Sequence, residues 1–399
     1  MNGLRIALIH NLKPPVKDPH LPADHYSECD SPETVGYITR AIELAGHKVF
    51  PVEADSKLPL WLAENPVDLA FNISEGFSGE AREARVPALL ELLEIPYTGS
   101  GVLALALSLD KARSKHIFRS VGIPTPNFQV FTHLDEPLDG RLHFPLIVKP
   151  NREGSGKGIL ASSVVRSEAA LRAQIQRVFT DYGQEVLVEE FIEGIELTVG
   201  LLGEEVLPVL EIDFSPCAPA GESFYSWKVK EYQGNKEMHL DPKFWCPARL
   251  SSSTAEAVGT VAKKAALSLG CRDFSRVDIR LSQEGIPYVL EVNTLPGLDP
   301  KESNIPMMTK AAGIPYEALI NRIIQLAVAR LNKPSDRSLP ASSPSPEPGA
   351  VLSIPSFKTN NPVSQSPVYR ALPDPMEKEA GPSSNPAAVS DGKKLGKTI

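Results

Sequence analysis

The hydrophobic pattern of the first hundred residues alternates between the periods of strands and helices. Residues 4–9 form an apolar run of strand length, and a helical pattern then begins after Ser31, a good N-cap, and ends at Gly46. Strands that alternate with helices are typical of parallel sheets, so this part predicts a small doubly wound, Rossmann-like α/β unit. Further strand patterns lie at residues 48–52, 69–72 and 96–98, and a helix pattern lies at 87–93.

The rest of the chain reads as mixed α+β structure followed by a tail. Its helix patterns occupy residues 110–121, 167–179, 253–269 and 316–331, with Ser253 and Glu256 as a capping box. The last 67 residues contain 12 Pro and 12 Ser with scattered apolar positions, which predicts disorder. The predicted domains are 1–105, 106–195 and 196–331, with a disordered Pro/Ser-rich tail at 332–399.

Composition narrows the class of protein. The content of 42% hydrophobic and 23% charged residues is ordinary for a globular protein, and the net charge of −8 disfavours nucleic acid as a partner. The four cysteines are widely spaced, which fits reduced thiols better than a disulfide framework. No basic leader precedes residues 4–9 and no apolar run approaches the ~20 residues of a membrane span. We therefore expect a cytoplasmic protein without membrane association.

The most informative segment is a predicted hairpin near the end of the body. Period two places Glu291 and Asn293 on one strand face, and Asp278 with Arg276 on one face of the preceding strand. Carboxylate and amide oxygens suit Mg²⁺, and a neighbouring Arg can hold developing phosphoryl charge. A hairpin that is merely salt-bridged is the alternative.

Two other segments fit nucleotide binding. The strand at residues 144–150 ends in Lys149-Pro150 and leads into a glycine-rich loop at 154–158 that can lay N–H groups along a polyphosphate. This loop is not a Walker A motif, because Gly158 replaces Ser/Thr and a strand follows. The acidic segment 187–196 can accept from an adenine amino group and from ribose hydroxyls. A flexible hairpin and a solvated acidic face are the respective alternatives.

Other enzyme classes find little support. Residues 99–104 imitate a dinucleotide fingerprint, but the preceding strand is short and no acid follows at the expected distance. Neither an H-E-x-x-H nor a G-x-S-x-G motif is present, which disfavours a zinc protease and a serine hydrolase.

As an ordered set, these segments resemble the D-alanine–D-alanine ligases, which belong to the ATP-grasp carboxylate–amine ligases. The resemblance spans residues 95–315 and extends to the N-terminus through the α/β start, so it implies an ATP-grasp fold behind a pre-ATP-grasp domain. The matching pieces are residues 95–101, Asp110-Lys111 with Lys115, 147–155, 186–189, Gly194 with Glu196, 276–278 and 290–297.

The resemblance implies roles for residues in three groups, together with ATP and two Mg²⁺ ions (or Mn²⁺) as cofactors. For ATP binding these are Lys111, Lys149, Glu189, Ile192, Glu196 and, in the lid loop, Ser155. The metal ligands are Asp278, Glu291 and Asn293, and the residues of the reaction itself are Arg276, Lys230, Gly297 and Ser155. The implied partners are small amino-acid substrates, and a homodimer is compatible with the resemblance.

The amino-acid pocket departs from the family pattern. Ser303 occupies the place that binds the second substrate's carboxylate, but Asn304 replaces an apolar neighbour. The family's tyrosine follows its lysine directly, whereas Glu231 separates Lys230 from Tyr232, our candidate for that role. In the family, an acid after the first strand binds the ammonium of the first substrate, but here that region is divergent. The candidates are Glu28, Asp30 and Glu33, of which we select Glu33. Residues 72–76 also differ from the family's histidine–glycine segment.

Three hypotheses follow. The leading one is an ATP-dependent D-alanine–D-alanine ligase, serving peptidoglycan biosynthesis, or a close relative. The second keeps the ATP half but activates a different amino acid or a natural-product carboxylate. The third is a catalytically silent ATP-binding regulator whose tail recruits partners.

Overall fold

The computed structural model describes residues 3–16 and 18–331. The predicted tail at 332–399 lies outside the described residues, so its disorder stays a prediction. Among the described residues, no helix combines the length and apolar character that crossing a membrane requires.

The first sheet is parallel and three-stranded, in the order β2-β1-β3. Its central strand is buried from Ile6 to Ile9, which explains the continuous apolar run, since a central parallel strand is covered on both faces. The predicted doubly wound α/β start is confirmed. The strands are β1 (Arg5–His10), β2 (Lys48–Glu53) and β3 (Leu69–Asn72).

The second sheet is antiparallel, with the order β4-β7-β5-β6. One face packs on the long helix that starts after Ser167, whose side chain accepts a hydrogen bond from the N–H of Ala170. The helix ends at Gly183 in the left-handed conformation. The strands are β4 (Phe128–Phe131), β5 (Leu146–Pro150), β6 (Val164–Val165) and β7 (Val186–Glu190).

The third sheet carries the predicted hairpin, and its main path runs β11-β10-β8-β12-β13, with β9 paired to β8. The pairing of β12 with β13 shifts after Asp278, so that Leu290 is an extra residue in β13. This bulge lets both Val289 and Val292 point into the core although they are three positions apart, an odd spacing that would place them on opposite faces of a regular strand. The strands are β8 (Gly194–Leu202), β9 (Glu205–Val206), β10 (Leu210–Asp213), β11 (Lys243–Trp245), β12 (Phe274–Ser282) and β13 (Pro287–Asn293).

Ten helices cover the sheets of the described residues. The capping box predicted at Ser253 and Glu256 is wrong, because the N-cap is Ser251, whose side chain accepts from the N–H of Thr254. The helices are α1 (Pro32–Leu44), α2 (Leu58–Glu64), α3 (Arg85–Leu92), α4 (Val102–Leu109), α5 (Lys111–Ser120), α6 (Glu168–Tyr182), α7 (Trp227–Glu231), α8 (Ser252–Ser268), α9 (Asn304–Ala311) and α10 (Tyr316–Leu331).

One hydrophobic cluster joins the first and third sheets, and this contact positions the site. Leu8 of β1 and Phe274 of β12 belong to the same cluster, which α1 and α10 complete. The end of β13 and Lys13, three residues after the end of β1, therefore border one cavity of about 480 Å³. The fold matches the predicted combination of α/β and α+β parts. The boundaries between the segments stay a prediction.

Candidate active site

The predicted hairpin brings its four polar residues together in register. Arg276 lies opposite Asn293, and Asp278 lies opposite Glu291. Asp278 accepts hydrogen bonds from Arg276 Nε (2.9 Å) and Nη2 (2.8 Å), and from Asn293 Nδ2 (2.9 Å). Thr198 of β8 donates a further bond of 2.7 Å. Three oxygen-bearing side chains and one guanidinium thus lie on a rigid sheet rather than on loops.

Cations from four separate elements surround Glu291. Lys111, the first residue of α5, lies 3.2 Å from its carboxylate. Burial alone would raise the pKa of Glu291, but Lys111, Lys149, Lys230 and Arg276 outweigh burial and hold that pKa well below its usual range. Burial, followed by the nearby Arg276, lowers the pKa of Lys230. A surplus of positive charge facing one carboxylate is a place for phosphate oxygens.

A narrower cleft beside the cavity contains the residues expected at adenosine. Ile192 and Glu196 line it with Leu290, which the bulge directs there. Glu196 lies 3.3 Å from Arg280 of β12. This cleft therefore combines apolar walls with an acid that faces an arginine.

Glu189 is held in this cleft by two lysines. Glu189 is 2% exposed, and its carboxylate accepts a hydrogen bond from Lys149 (2.5 Å) and forms an ion pair with Lys115 (2.7 Å). Burial lowers the pKa of Lys115 to about 8, although Glu189 opposes this shift. The sequence analysis includes Lys115 only as part of a motif. Its position four residues after Lys111 in a helix could have predicted that both lysines lie on the same helix face.

The glycine loop is fastened to the N-terminal part of the chain. Arg82 Nη2 donates to Glu28 (2.6 Å), and Arg82 Nη1 donates to the carbonyl of Arg152 (2.7 Å). Glu28 also accepts from the N–H of Gly154 (2.8 Å) and from Lys157 (2.7 Å). We call Glu28, Arg82 and Lys157 the loop latch. It holds Ser155, whose φ is +50°, at the edge of the cavity.

The end of the cavity beside the latch is acidic. One carboxylate oxygen from each of Glu28, Glu75 and Glu83 lies within 4.8 Å of the others. Burial raises the pKa of Glu83 to about 7 and that of Glu75 well above its usual range, with Glu28 adding to both shifts. The charges of Arg82 and Lys157 outweigh burial and lower the pKa of Glu28. The latch therefore holds Glu28 as an anion and leaves its two neighbours with excess proton affinity.

The predicted acids for the first substrate are distributed around this end. Glu28, Asp30 and Glu33 all line the cavity, with Glu33 exposed at its rim. Burial and the neighbouring Asp299 raise the pKa of Asp30 to about 7. Glu75 faces the same space, and sequence reasoning had noted it only as a departure from the family pattern.

The opposite end of the cavity is formed by the β13 turn and the start of α9. Ser303 is the N-cap residue, but its side chain makes no capping bond and instead accepts from the N–H of Asp299 (3.0 Å). A Cβ on Gly297 would lie 2.7 Å from the Ser303 hydroxyl oxygen, so a larger residue at 297 would displace that hydroxyl. The first N–H groups of α9 are therefore without a side-chain cap and suit an anion.

Among the site residues predicted from the sequence, Tyr232 does not line the cavity. It is 42% exposed and its ring lies edge-on to Trp227, with centroids 6.3 Å apart. Tyr225 lines the cavity instead, beneath the Lys230 ammonium at 4.7 Å, and its hydroxyl donates to Gln233 (2.5 Å). The short helix α7 places Lys230 inward, and a residue two positions later on a helix points elsewhere. No periodicity in the sequence singled out Tyr225.

Comparisons with known proteins agree with this geometry. A family model described as the D-ala D-ala ligase C-terminus matches residues 117–325, slightly more than half of the chain. A D-alanine–D-alanine ligase of Citrifermentans bemidjiense is 38% identical over 286 residues, which cover 72% of this chain and 87% of that protein. An uncharacterised protein of Sinorhizobium fredii is 34% identical over 305 residues, covering 73% and 87% respectively.

A solved structure agrees as well. The crystal structure of the D-alanine–D-alanine ligase from Bacillus anthracis complexed with ATP superposes with a TM-score of 0.65 at 27% identity, covering 82% of this chain and 98% of that one. Sequence identity over most of both chains and a shared fold confirm the resemblance. The chain belongs to the D-alanine–D-alanine ligase family.

Proposed function

We propose that this protein is an ATP-dependent D-alanine–D-alanine ligase, or a close relative that joins two small amino acids. Membership of the family implies an enzyme that uses ATP and a divalent metal to form a C–N bond. The observation that carries the proposal is the register of the hairpin, which sets Asp278 against Glu291 and Arg276 against Asn293, with lysines from other elements facing them.

The reaction needs activation because a carboxylate is a poor electrophile. A carboxylate oxygen of the first amino acid attacks the γ-phosphorus of ATP, the bond to the ADP oxygen breaks, and an acyl phosphate forms. The amine of the second amino acid, having lost a proton, then attacks the carbonyl carbon, and phosphate leaves. Negative charge builds at both stages, so the site must supply positive charge without rearranging.

The hairpin and the facing lysines fit the phosphate half of this chemistry. Asp278, Glu291 and Asn293 offer the oxygen donors that Mg²⁺ prefers, and we propose that they would hold two ions. The ions would neutralise phosphate oxygens. Arg276 is held by two hydrogen bonds to Asp278, which fixes its guanidinium toward the cavity, while Lys111, Lys149 and Lys230 approach from the other side.

The cleft behind the lysines suits the nucleoside. Ile192 gives an apolar wall, and Glu189 is fixed by two lysines at the end of its strand, where it can accept from the adenine amino group. Glu196 also lines this cleft and would accept hydrogen bonds from the ribose hydroxyls. The latched loop with Ser155 would cover the phosphates.

The amino acids would lie along the main cavity. The uncapped start of α9 with Ser303 favours the carboxylate of the second substrate, and the backbone at Gly297 lies beside it. For the ammonium of the first substrate we favour Glu75 over Glu33, since Glu75 lies among buried acids and forms no hydrogen bond or ion pair with the described residues. An ammonium there would relieve the repulsion among the carboxylates.

The test is phosphate release from ATP, with Mg²⁺ and D-alanine, by the wild type and two glutamine variants. Glu291→Gln should still fold but lose at least 100-fold in turnover, because a charged ligand for the metal ions is gone. Glu284→Gln, in the exposed turn of the same hairpin, is the matched control and should match the wild type. If Glu291→Gln keeps a tenth of wild-type activity at saturating Mg²⁺, the metal assignment is wrong.

A further inference from the structure

Lys115 of α5 is a completely buried lysine that lies behind the nucleotide cleft. Its side chain is 0% exposed, and it is not among the residues that line the cavity or the cleft. Its ammonium forms an ion pair with Glu189 (2.7 Å) and donates to the hydroxyl of Thr125 (2.9 Å), which donates to the carbonyl of Val289 (2.8 Å). Burying an ammonium is costly even when it is paired. A lysine at such a place needs a partner that depends on its charge, and that partner is Glu189.

Lys149, the second cation on Glu189, is placed differently. It lines the cleft, and its bond to Glu189 (2.5 Å) is the one hydrogen bond or ion pair of its ammonium within residues 3–16 and 18–331. Burial alone would raise the pKa of Glu189, but Lys115 and then Lys149 outweigh burial and lower that pKa. The two lysines together therefore keep a deeply buried carboxylate charged, and only one of them borders the space that a ligand can occupy.

A bound nucleotide would act on the two lysines differently. Under the proposed function, on which this inference rests, Lys149 faces the phosphates and Glu189 accepts from the adenine amino group. A polyphosphate would attract the ammonium of Lys149 and weaken its bond to Glu189. A buried carboxylate that loses its only cation takes up a proton or retains that cation. Lys115 does not border the cleft, so its ammonium stays with Glu189 while the phosphates bind.

We propose that Lys115 is a positioning residue for ATP, which stays paired with Glu189 when Lys149 moves to the phosphates and so keeps Glu189 ionised for the adenine amino group. An ionised carboxylate accepts a stronger hydrogen bond than a neutral one. Thr125 fixes the ammonium of Lys115 to the backbone of β13, so the lysine is held in place throughout. Lys115 thus supports recognition of the base without touching it, and it frees Lys149 for the phosphates.

The experiment compares ATP with purine riboside 5′-triphosphate, which is ATP without the amino group, in ADP-type product release with Mg²⁺ and saturating D-alanine. The ratio of kcat/KM for the two nucleotides measures the hydrogen bond to the amino group. At pH 7 the wild type should favour ATP at least tenfold, as for a hydrogen bond to a charged group. Lys115→Met should lower this ratio to below threefold and raise the KM for ATP about tenfold, with kcat within threefold of the wild type. Arg113→Met, on the exposed face of the same helix, is the matched control and should keep the wild-type values.

The pH dependence of the wild-type ratio gives an independent readout that needs no folded variant. Burial lowers the pKa of Lys115 to about 8, and Lys149 on β5 adds to this shift, while Glu189 on β7 and Glu291 on β13 oppose it. Lys115 loses its charge above that pH, and neither base titrates there, so the ratio should fall several-fold from pH 7 to pH 9. In Lys115→Met the ratio should not change with pH. A constant wild-type ratio over this range would overturn the inference.

The remaining outcomes separate this inference from the proposed function. If Lys115→Met melts at a lower temperature but keeps the wild-type ratio, Lys115 has only a structural role and the inference is overturned. If the wild type forms D-alanyl-D-alanine equally well with both nucleotides, the role of Lys115 is overturned and the ligase function is supported. A wild type that releases no phosphate from either nucleotide overturns the proposed function, and the inference fails with it.

Discussion

Replacing Arg82 by methionine should release the glycine loop from the N-terminal part of the chain. Arg82 is 3% exposed and joins three backbone segments, through Glu28 at 2.6 Å and the carbonyl of Arg152 at 2.7 Å. Methionine keeps the length and apolar contacts of the side chain but removes its charge and donors. Glu28 would then rely on Lys157 and the N–H of Gly154.

The magnitude follows from the geometry of the pair. Two unit charges 2.6 Å apart attract by roughly 6 kcal/mol at an effective dielectric constant of 20, and the energy of removing both ions from water offsets part of this. Breaking a buried pair from one side typically costs about 3–5 kcal/mol, since the remaining charge stays buried. At about 2 °C per kcal/mol for a chain of this size, the melting temperature should fall by roughly 6–10 °C.

The assay is thermal unfolding of Arg82→Met beside Arg85→Met, followed by the KM for ATP of both. Arg85 lies three residues further on and is exposed, so its variant should melt within about 1 °C of the wild type. Arg82→Met should also raise the KM for ATP several-fold, because the loop with Ser155 loses its anchor. Equal melting temperatures for the two variants would refute the latch as a stabilising element.

Two further predictions concern the acidic end and the tyrosine. The pKa of Glu83 is raised to about 7, so its contribution to stability is full below pH ~4.5 and is lost as the pH rises through 7. From pH 5 to pH 8, the free energy of unfolding of Glu83→Gln should therefore rise by on the order of 2 kcal/mol relative to that of the wild type, as measured by chemical denaturation. A difference between the two proteins that stays constant over this pH range would contradict this. Tyr225→Phe should reduce kcat/KM with D-alanine about tenfold and Tyr232→Phe less than twofold; the reverse order would place Tyr232 in the site.

Much of the fold and of the hairpin could be predicted from sequence because the signals are local. The alternation of strands and helices, and the period-two placement of Glu291 and Asn293, depend only on neighbouring residues. The bulge at Leu290 was not predicted, since it depends on pairing with β12. The capping error at Ser253 arose because consecutive serines at 251–253 give equivalent signals, and only the backbone conformation distinguishes them.

The parts of the site that sequence reasoning did not resolve are built by contacts between distant segments. The latch joins Glu28 to Lys157, which are 129 residues apart in the sequence, and the hydrophobic periodicity of neither segment predicts this contact. Tyr225 reaches the cavity because a short helix turns Lys230 above its ring, whereas adjacency to the lysine had pointed to Tyr232. The acidic end of the cavity was not predicted either, because charged residues are usually exposed and the sequence does not show that Glu75 and Glu83 are buried.

We propose that four cations face the phosphates, and the pairing of three of them with acids has a consequence for the order in which ligands bind. Without ligands, Arg276 neutralises Asp278, Lys111 faces Glu291, and Lys149 is bound to Glu189. A nucleotide alone would attract these cations and leave their carboxylates without a positive partner. A metal ion alone would bind the carboxylates and leave the cations without a negative partner. A divalent metal ion and ATP that arrive as one complex provide new partners for both the acids and the cations at once. We therefore expect the enzyme to prefer this complex because it keeps the charges balanced, and not because of its shape.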